Sequence, residues 1–189
     1  MASEWSQDIY IKAYRFAAEV HWNRKKKQVV PGTDIPYLMH FSLVAMEVIA
    51  ALDKEPGLDG NLAVQCALLH DTIEDTDTTY DQLVRKFGFE VADGVYALTK
   101  DESVGADLSE EKRKKLQMAD SLERIRKQPK EIWMVKMADR ITNLQPPPSH
   151  WTQDKIIRYR EEAGEIHQVL KQGSQYLATR LEEKNDNYS

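Results

Sequence analysis

Apolar residues recur at helical spacing along almost the whole chain, and no segment alternates polar and apolar positions over the length of a strand. The first stripe, Tyr10, Ala13, Tyr14, Ala17, Val20 and His21, predicts an amphipathic helix that ends near the basic run 24–27. Turn chemistry in Val30-Pro31-Gly32-Thr33-Asp34 interrupts it. Pro36 then starts a second helix with Tyr37, His40, Val44, Val48 and Ala51 on one face. After the breaks at Glu55-Pro56-Gly57 and Asp59-Gly60-Asn61, the Ala/Leu-rich segment from Leu62 to Asp75 predicts a buried third helix. A capping box at Thr78 and Asp81 and a glycine stop at Gly88 bound a short fourth. Phe89 to Leu98 continues helically, Lys100 to Leu108 is expected to be a mobile loop, and Ser109 opens a charged helix facing inward through Leu116, Ala119, Leu122 and Ile125. Pro129 suits the first turn of a helix through Ile132, Val135 and Asp139 to Asn143, which Pro146-Pro147-Pro148 must end. A last helix from near Thr152 carries Ile156, Tyr159, Ala163, Ile166, Val169 and Leu170, then frays into a polar tail from about residue 182. The pattern is all-α, a bundle of about seven to eight or more helices.

The length of 189 residues with 41% hydrophobic content supports one core, so residues 1–189 are expected to form a single domain. A net charge of −5 excludes a general nucleic-acid binder and makes any anion site local. The lone Cys66 permits no internal disulfide, which fits a reducing cytoplasm. No segment has the apolar length of a membrane span, and residues 1–10 lack the apolar stretch of a secretion signal; no membrane partner is expected.

The third helix ends in an unusual way. Cys66-Ala67-Leu68-Leu69 runs directly into His70-Asp71-Thr72-Ile73-Glu74-Asp75, one imidazole and three carboxylates at the end of a buried segment. Unpaired, those groups would cost several kcal/mol each, and a divalent cation is the simplest compensation. His70 and Asp71 are spaced to reach one ion, while Glu74 and Asp75 follow one turn later and suit acid/base work. Two further ligands must come from elsewhere. His40 on the inward stripe and Asp139 on a mostly apolar face are the candidates; a hydrogen-bonded core histidine and a helix ion pair are their alternatives. Two imidazoles with two carboxylates suit Mn²⁺ or Fe²⁺ better than a soft ion. Such a cation would acidify water and polarise phosphorus, the chemistry of hydrolysis without a protein nucleophile.

The blocks Ile35-Pro36-Tyr37-Leu38-Met39-His40, Ala67-Leu68-Leu69-His70-Asp71-Thr72-Ile73-Glu74-Asp75-Thr76, Phe87-Gly88, Leu98-Thr99-Lys100 and residues 135–144 (VKMADRITNL) stand in order along the chain. On these residues the sequence resembles the HD-domain phosphohydrolases, and within them the RelA/SpoT-type alarmone hydrolases in their short, stand-alone form. The resemblance implies that His40, His70, Asp71 and Asp139 hold one Mn²⁺ ion and that Glu74 and Asp75 position or activate the attacking water. It implies removal of the 3′-pyrophosphate from guanosine tetra- and pentaphosphate, giving GDP or GTP. Some stand-alone members also act as NADPH 2′-phosphatases; another nucleotidase and a non-catalytic nucleotide-binding module are the remaining alternatives. Asn143 matches the family asparagine near the ribose, and Lys26 and Lys27 fall among basic residues near the nucleotide. Lys155 and Tyr159, four residues apart and following Trp151 at the same interval, match a tryptophan, basic residue and tyrosine of the stand-alone branch, with packing as the competing role for Tyr159. The chain departs from the pattern in Lys26, where arginine is usual, in the longer stretch between His21 and His40, and in Glu110, where relatives place a lysine.

Overall fold

The computed structural model describes residues 4–22, 29 and 35–189, so Lys26, Lys27 and the turn at 30–34 lie outside the described residues. Among the described residues the helical stripes become α1 (Gln7–Trp22), α2 (Leu38–Leu52), α3 (Gly60–Leu69), α4 (Thr72–Asp75), α5 (Tyr80–Phe87), α6 (Phe89–Leu98), α7 (Glu110–Arg126), α8 (Lys130–Asn143), α9 (Gln153–Leu170) and α10 (Gln175–Asp186). The one β-type pairing among them is an isolated antiparallel bridge between Val29 and Pro36. No helix among them is long and apolar enough to cross a membrane.

Helix α3 organises the rest, because its sequence offers apolar side chains in every direction. Leu62, Ala63, Val64, Cys66, Ala67, Leu68 and Leu69 are all buried, and α1, α2, α6 and α8 pack around them. Small residues set how closely they approach. A Cβ at Gly94 of α6 would lie 2.5 Å from Ile132 Cδ1 and 2.9 Å from Cys66 Sγ, so the glycine is what lets α6 sit against both α3 and α8. The start of α3 is fixed by Asp59, which accepts the Leu62 N–H at 2.9 Å while its own N–H donates to Glu131 Oε1 at 2.6 Å.

The elements differ from the sequence expectation in three places. The third helix breaks in two, because Asp71, at φ −96°, ψ 0°, leaves the regular helix geometry that His70 still holds at φ −54°, ψ −35°. The capping box is Thr79 and Gln82, reciprocally bonded at 3.3 and 2.9 Å, while Thr78 is buried and paired with Thr76. Gly88 does stop α5, at φ +90°. The segment from Lys100 to Leu108 is built of turns, with Asp101 accepting both the N–H and hydroxyl of Ser103 and with Gly105 at φ +67°.

The largest difference is at the C-terminus. The tail expected to fray from about 182 is helical to Asp186, and Tyr188 is buried. Ser174 caps α10 and also donates to Glu55 Oε1 at 2.9 Å, while Arg180 makes a two-pronged ion pair with buried Glu47 of α2 at 2.5 and 2.6 Å. These contacts join residues more than a hundred positions apart, beyond the reach of local patterning. Arg180→Ala would leave Glu47 buried without its partner, and we expect a loss of about 2 kcal/mol in urea unfolding, with the midpoint moving and the slope unchanged.

Candidate metal centre

Three helices bring one histidine or carboxylate each, or a pair, to the same point. His40 enters from α2, His70 and Asp71 from the break after α3, and Asp139 from α8. Ligand atoms of His40, His70 and Asp71 all lie within 4.8 Å of one another. Asp139 Oδ1 is 3.3 Å from His40 Nε2 and 3.8 Å from His70 Nε2, while Asp71 Oδ2 is 3.0 Å from His70 Nε2 and 3.7 Å from His40 Nε2. Both imidazoles are buried.

A backbone contact turns His70 toward the cluster. His70 Nδ1 is 2.9 Å from the Ala67 carbonyl, which can only accept, so Nδ1 carries a hydrogen and Nε2 is turned to the cluster. There it meets His40 Nε2 at 3.3 Å. Two imidazole nitrogens aimed at each other between two carboxylates make a donor set that needs positive charge at its centre. Burial alone would depress the His70 pKa, yet the Asp71 and Asp139 carboxylates override it and raise it to about 9. Burial likewise pushes Asp71 up, and the His70 imidazolium outweighs it, holding that carboxyl at about 2. Asp139 is held well below the carboxylate range by Lys136 and the two imidazoles despite its burial. Two nitrogens and two carboxylate oxygens fit a hard-to-borderline divalent cation.

The carboxylates are oriented by neighbours, Asp71 from the start of α2 and Asp139 from one turn to either side on α8. Tyr37 donates to Asp71 Oδ2 at 2.5 Å, and burial together with the Asp71 charge keeps that phenol protonated well above its usual range. Asp139 receives Lys136 Nζ at 3.3 Å on Oδ2 and Asn143 Nδ2 at 2.6 Å on Oδ1. Asn143, expected near a ribose, is thus placed with its amide on Asp139. Tyr37 and Lys136 were not singled out for the site from sequence, although each stands three residues before a candidate ligand, one helical turn away.

Glu74 stands on α4 at the rim, where its Oε2 accepts the Lys100 N–H at 2.9 Å. Crowding of its carboxylate by the protein raises its pKa, partly offset by that N–H. Asp75 is half-buried and bears electrostatically on Tyr37, together with Asp71 and Asp139. On the α9 side, the Lys155 ammonium lies 3.7 Å over the Trp151 ring, Trp151 meets Tyr159 edge-on at 5.2 Å, and the Arg140 guanidinium stacks 4.3 Å over Tyr159. Burial raises the Tyr159 hydroxyl to about 12, and Asp139 adds to the shift. Four of the expected site residues therefore share one point, Glu74 and Asp75 follow one turn on, and Lys155 and Tyr159 form a separate aromatic layer. His21, buried, packs 5.7 Å from the Tyr37 ring and 5.2 Å from Phe41.

A sequence profile of the HD domain matches residues 13–173. The chain belongs to the HD-domain family. HD-domain hydrolases bind a divalent metal, and His40, His70 and Asp71 supply a His-His-Asp cluster for one here. The HD-domain chain is also similar, nearly end to end, to short stand-alone proteins. It is 32% identical to guanosine-3′,5′-bis(diphosphate) 3′-pyrophosphohydrolase MESH1 of Homo sapiens, over 96% of this chain and 94% of that protein. It is 30% identical to MESH1 of Xenopus tropicalis, over 92% and 91% respectively. A solved structure described as a metazoan ortholog of SpoT that hydrolyzes ppGpp and plays a role in starvation responses superposes with a TM-score of 0.72, at 25% identity over 96% of both chains.

Proposed function

We propose that this HD-domain chain is a metal-dependent guanosine-3′,5′-bis(diphosphate) 3′-pyrophosphohydrolase. The observation that carries the reading is the convergence of His40, His70, Asp71 and Asp139, one helical turn from Glu74 and Asp75, in a chain that matches MESH1 over nearly its whole length. His40, His70, Asp71 and Asp139 would hold one Mn²⁺ ion, with Tyr37, Lys136 and Asn143 fixing the two carboxylates. That ion supplies Lewis-acid polarisation of phosphorus and acidification of water. Glu74 and Asp75 orient the attacking water and take its proton. Water oxygen bonds to the phosphorus carried on the 3′ oxygen, that P–O bond breaks, and the proton taken from water passes to the 3′ oxygen, releasing GDP with a free 3′ hydroxyl and pyrophosphate. Lys155 and Tyr159, with Lys26 and Lys27 outside the described residues, bind the phosphate groups, and Trp151 holds Lys155 in place. Residues 1–189 act as one domain, on a small purine nucleotide rather than a nucleic acid. A lone, buried free thiol at Cys66 suits a reducing cytoplasm.

Turnover of guanosine tetraphosphate, NADPH and nucleoside monophosphates in one Mn²⁺ buffer tests the assignment. The alarmone should be the preferred substrate and yield GDP and pyrophosphate; preference for NADPH would transfer the site to 2′-phosphatase chemistry.

Metal loading should also depend on pH in a defined direction. A proton competes with the cation for His70, and that proton is held up to about pH 9. Below that value each metal ion must displace it. Apparent Mn²⁺ affinity is therefore expected to rise close to tenfold per pH unit from neutrality toward pH 9 and then flatten. Calorimetry in buffers of different ionisation enthalpy counts the released proton, and an affinity independent of pH would remove His70 from the ligand set.

A further inference from the structure

The C-terminus of α6 is tied down by a side chain that the metal centre does not use. Arg124 of α7 donates from Nη1 to the Tyr96 and Ala97 carbonyls at 2.9 and 3.1 Å, and from Nη2 to the Thr99 carbonyl at 2.9 Å. Its Nε is braced by Asp120 Oδ2 at 2.8 Å. The Tyr96 and Ala97 carbonyls are among those that an α-helix leaves unpaired at its end, where a cation is also favoured by the helix dipole, and the Thr99 carbonyl lies just past that end. The planar guanidinium can grip three of them at once in a way that an ammonium cannot. Immediately after the last gripped carbonyl comes the Lys100 N–H, which donates to Glu74 Oε2 at 2.9 Å. On the far side of it, Gln117 of α7 donates to the Asp101 carbonyl at 3.3 Å. Lys100 is thus held between two anchors on α7, and it is the backbone contact that fixes Glu74.

We propose that Arg124 is a positioning residue for the hydrolysis, setting the Lys100 N–H that aims the Glu74 carboxylate. The proposal rests on the reading of Glu74 as a water-orienting group. Arg124 is 50 positions from Glu74 in sequence and touches no candidate ligand, so its effect must pass through the backbone at Thr99 and Lys100.

The test compares Arg124→Gln, Glu74→Ala and the double variant in the Mn²⁺-loaded full chain, with guanosine tetraphosphate in single-turnover and steady-state assays. Arg124→Gln is expected to lower kcat about tenfold with KM within about twofold, because only the aim of Glu74 is lost. In the Glu74→Ala background the same change should cost less than about twofold, and Arg124→Lys should recover only part of the loss. Amide exchange at Lys100 should become about tenfold faster in Arg124→Gln, a readout that does not depend on turnover. Lys100→Pro deletes the N–H itself and suits the Thr99 backbone at φ −68°, ψ 133°. It should repeat the kcat loss, while Lys100→Ala, which keeps the N–H, should cost several-fold less; this pair decides the matter if Arg124→Gln does not fold. Full kcat in Arg124→Gln, an equal loss with and without Glu74, or unchanged Lys100 exchange would each overturn the proposal. Full turnover in Glu74→Ala would instead overturn the role of Glu74, and this proposal with it.

Discussion

His70→Ala is expected to remove both the metal and the reaction. The side chain contributes the nitrogen closest to Asp71, 3.0 Å from its Oδ2, and it faces His40 at 3.3 Å. Alanine leaves the half-buried Asp71 and Asp139 carboxylates with only the His40 imidazole near both of them. With one donor of the set gone, Mn²⁺ affinity should fall by more than the about 10–100-fold typical of losing a mere orienting partner. Turnover should fall on the order of 10³-fold or more, equivalent to about 4 kcal/mol of transition-state stabilisation. Calorimetric Mn²⁺ titration and steady-state kinetics on the same preparation check both, with circular dichroism confirming helix content. A variant that binds Mn²⁺ as the wild type does would place the ion elsewhere.

Asp75→Asn is expected to separate chemistry from metal binding. The substitution keeps shape and removes the ability to take a proton, and Asp75 lies beyond the residues that converge on the cluster. Fold and Mn²⁺ affinity should be retained while kcat drops by about 10²–10⁴-fold, the range of a positioned general base. Glu74→Gln is the companion experiment. A glutamine oxygen can still accept the Lys100 N–H, so the side chain stays where Glu74 is and only its charge is lost. Comparable losses in both variants would mean that the two carboxylates share one task, as coupled groups do. Wild-type rates in Asp75→Asn would take Asp75 out of the mechanism.

Much of this architecture was readable before any coordinates, for reasons that are local. His40 and Asp139 interrupt apolar stripes, and His70-Asp71 follows four residues with no charge among them; such polar groups in a buried face demand partners, and the structure brings these four together. Gly88 after Phe87 is likewise a local signal, because only glycine suits the φ of +90° found there. What could not be read depends on contacts between distant segments. Nothing near residue 182 announces that Arg180 meets Glu47, so composition alone suggests a fraying tail. The break at Asp71 falls inside an unbroken run of helical spacing, and only the fold shows it. Tyr37 has the spacing of a core residue, and only the fold shows its hydroxyl on Asp71. Lys100 and Arg124 are surface charges by pattern, and the link from α7 through the end of α6 to Glu74 exists only in three dimensions.

Cleavage of the 3′-pyrophosphate should require both this cluster and a divalent cation held by it. Metal-stripped protein incubated with guanosine tetraphosphate, with and without added Mn²⁺, and resolved by anion-exchange chromatography tests it most directly. GDP and pyrophosphate are expected in equal amounts with Mn²⁺, and unchanged substrate without it. Folded, Mn²⁺-bound protein that leaves guanosine tetraphosphate intact would contradict it.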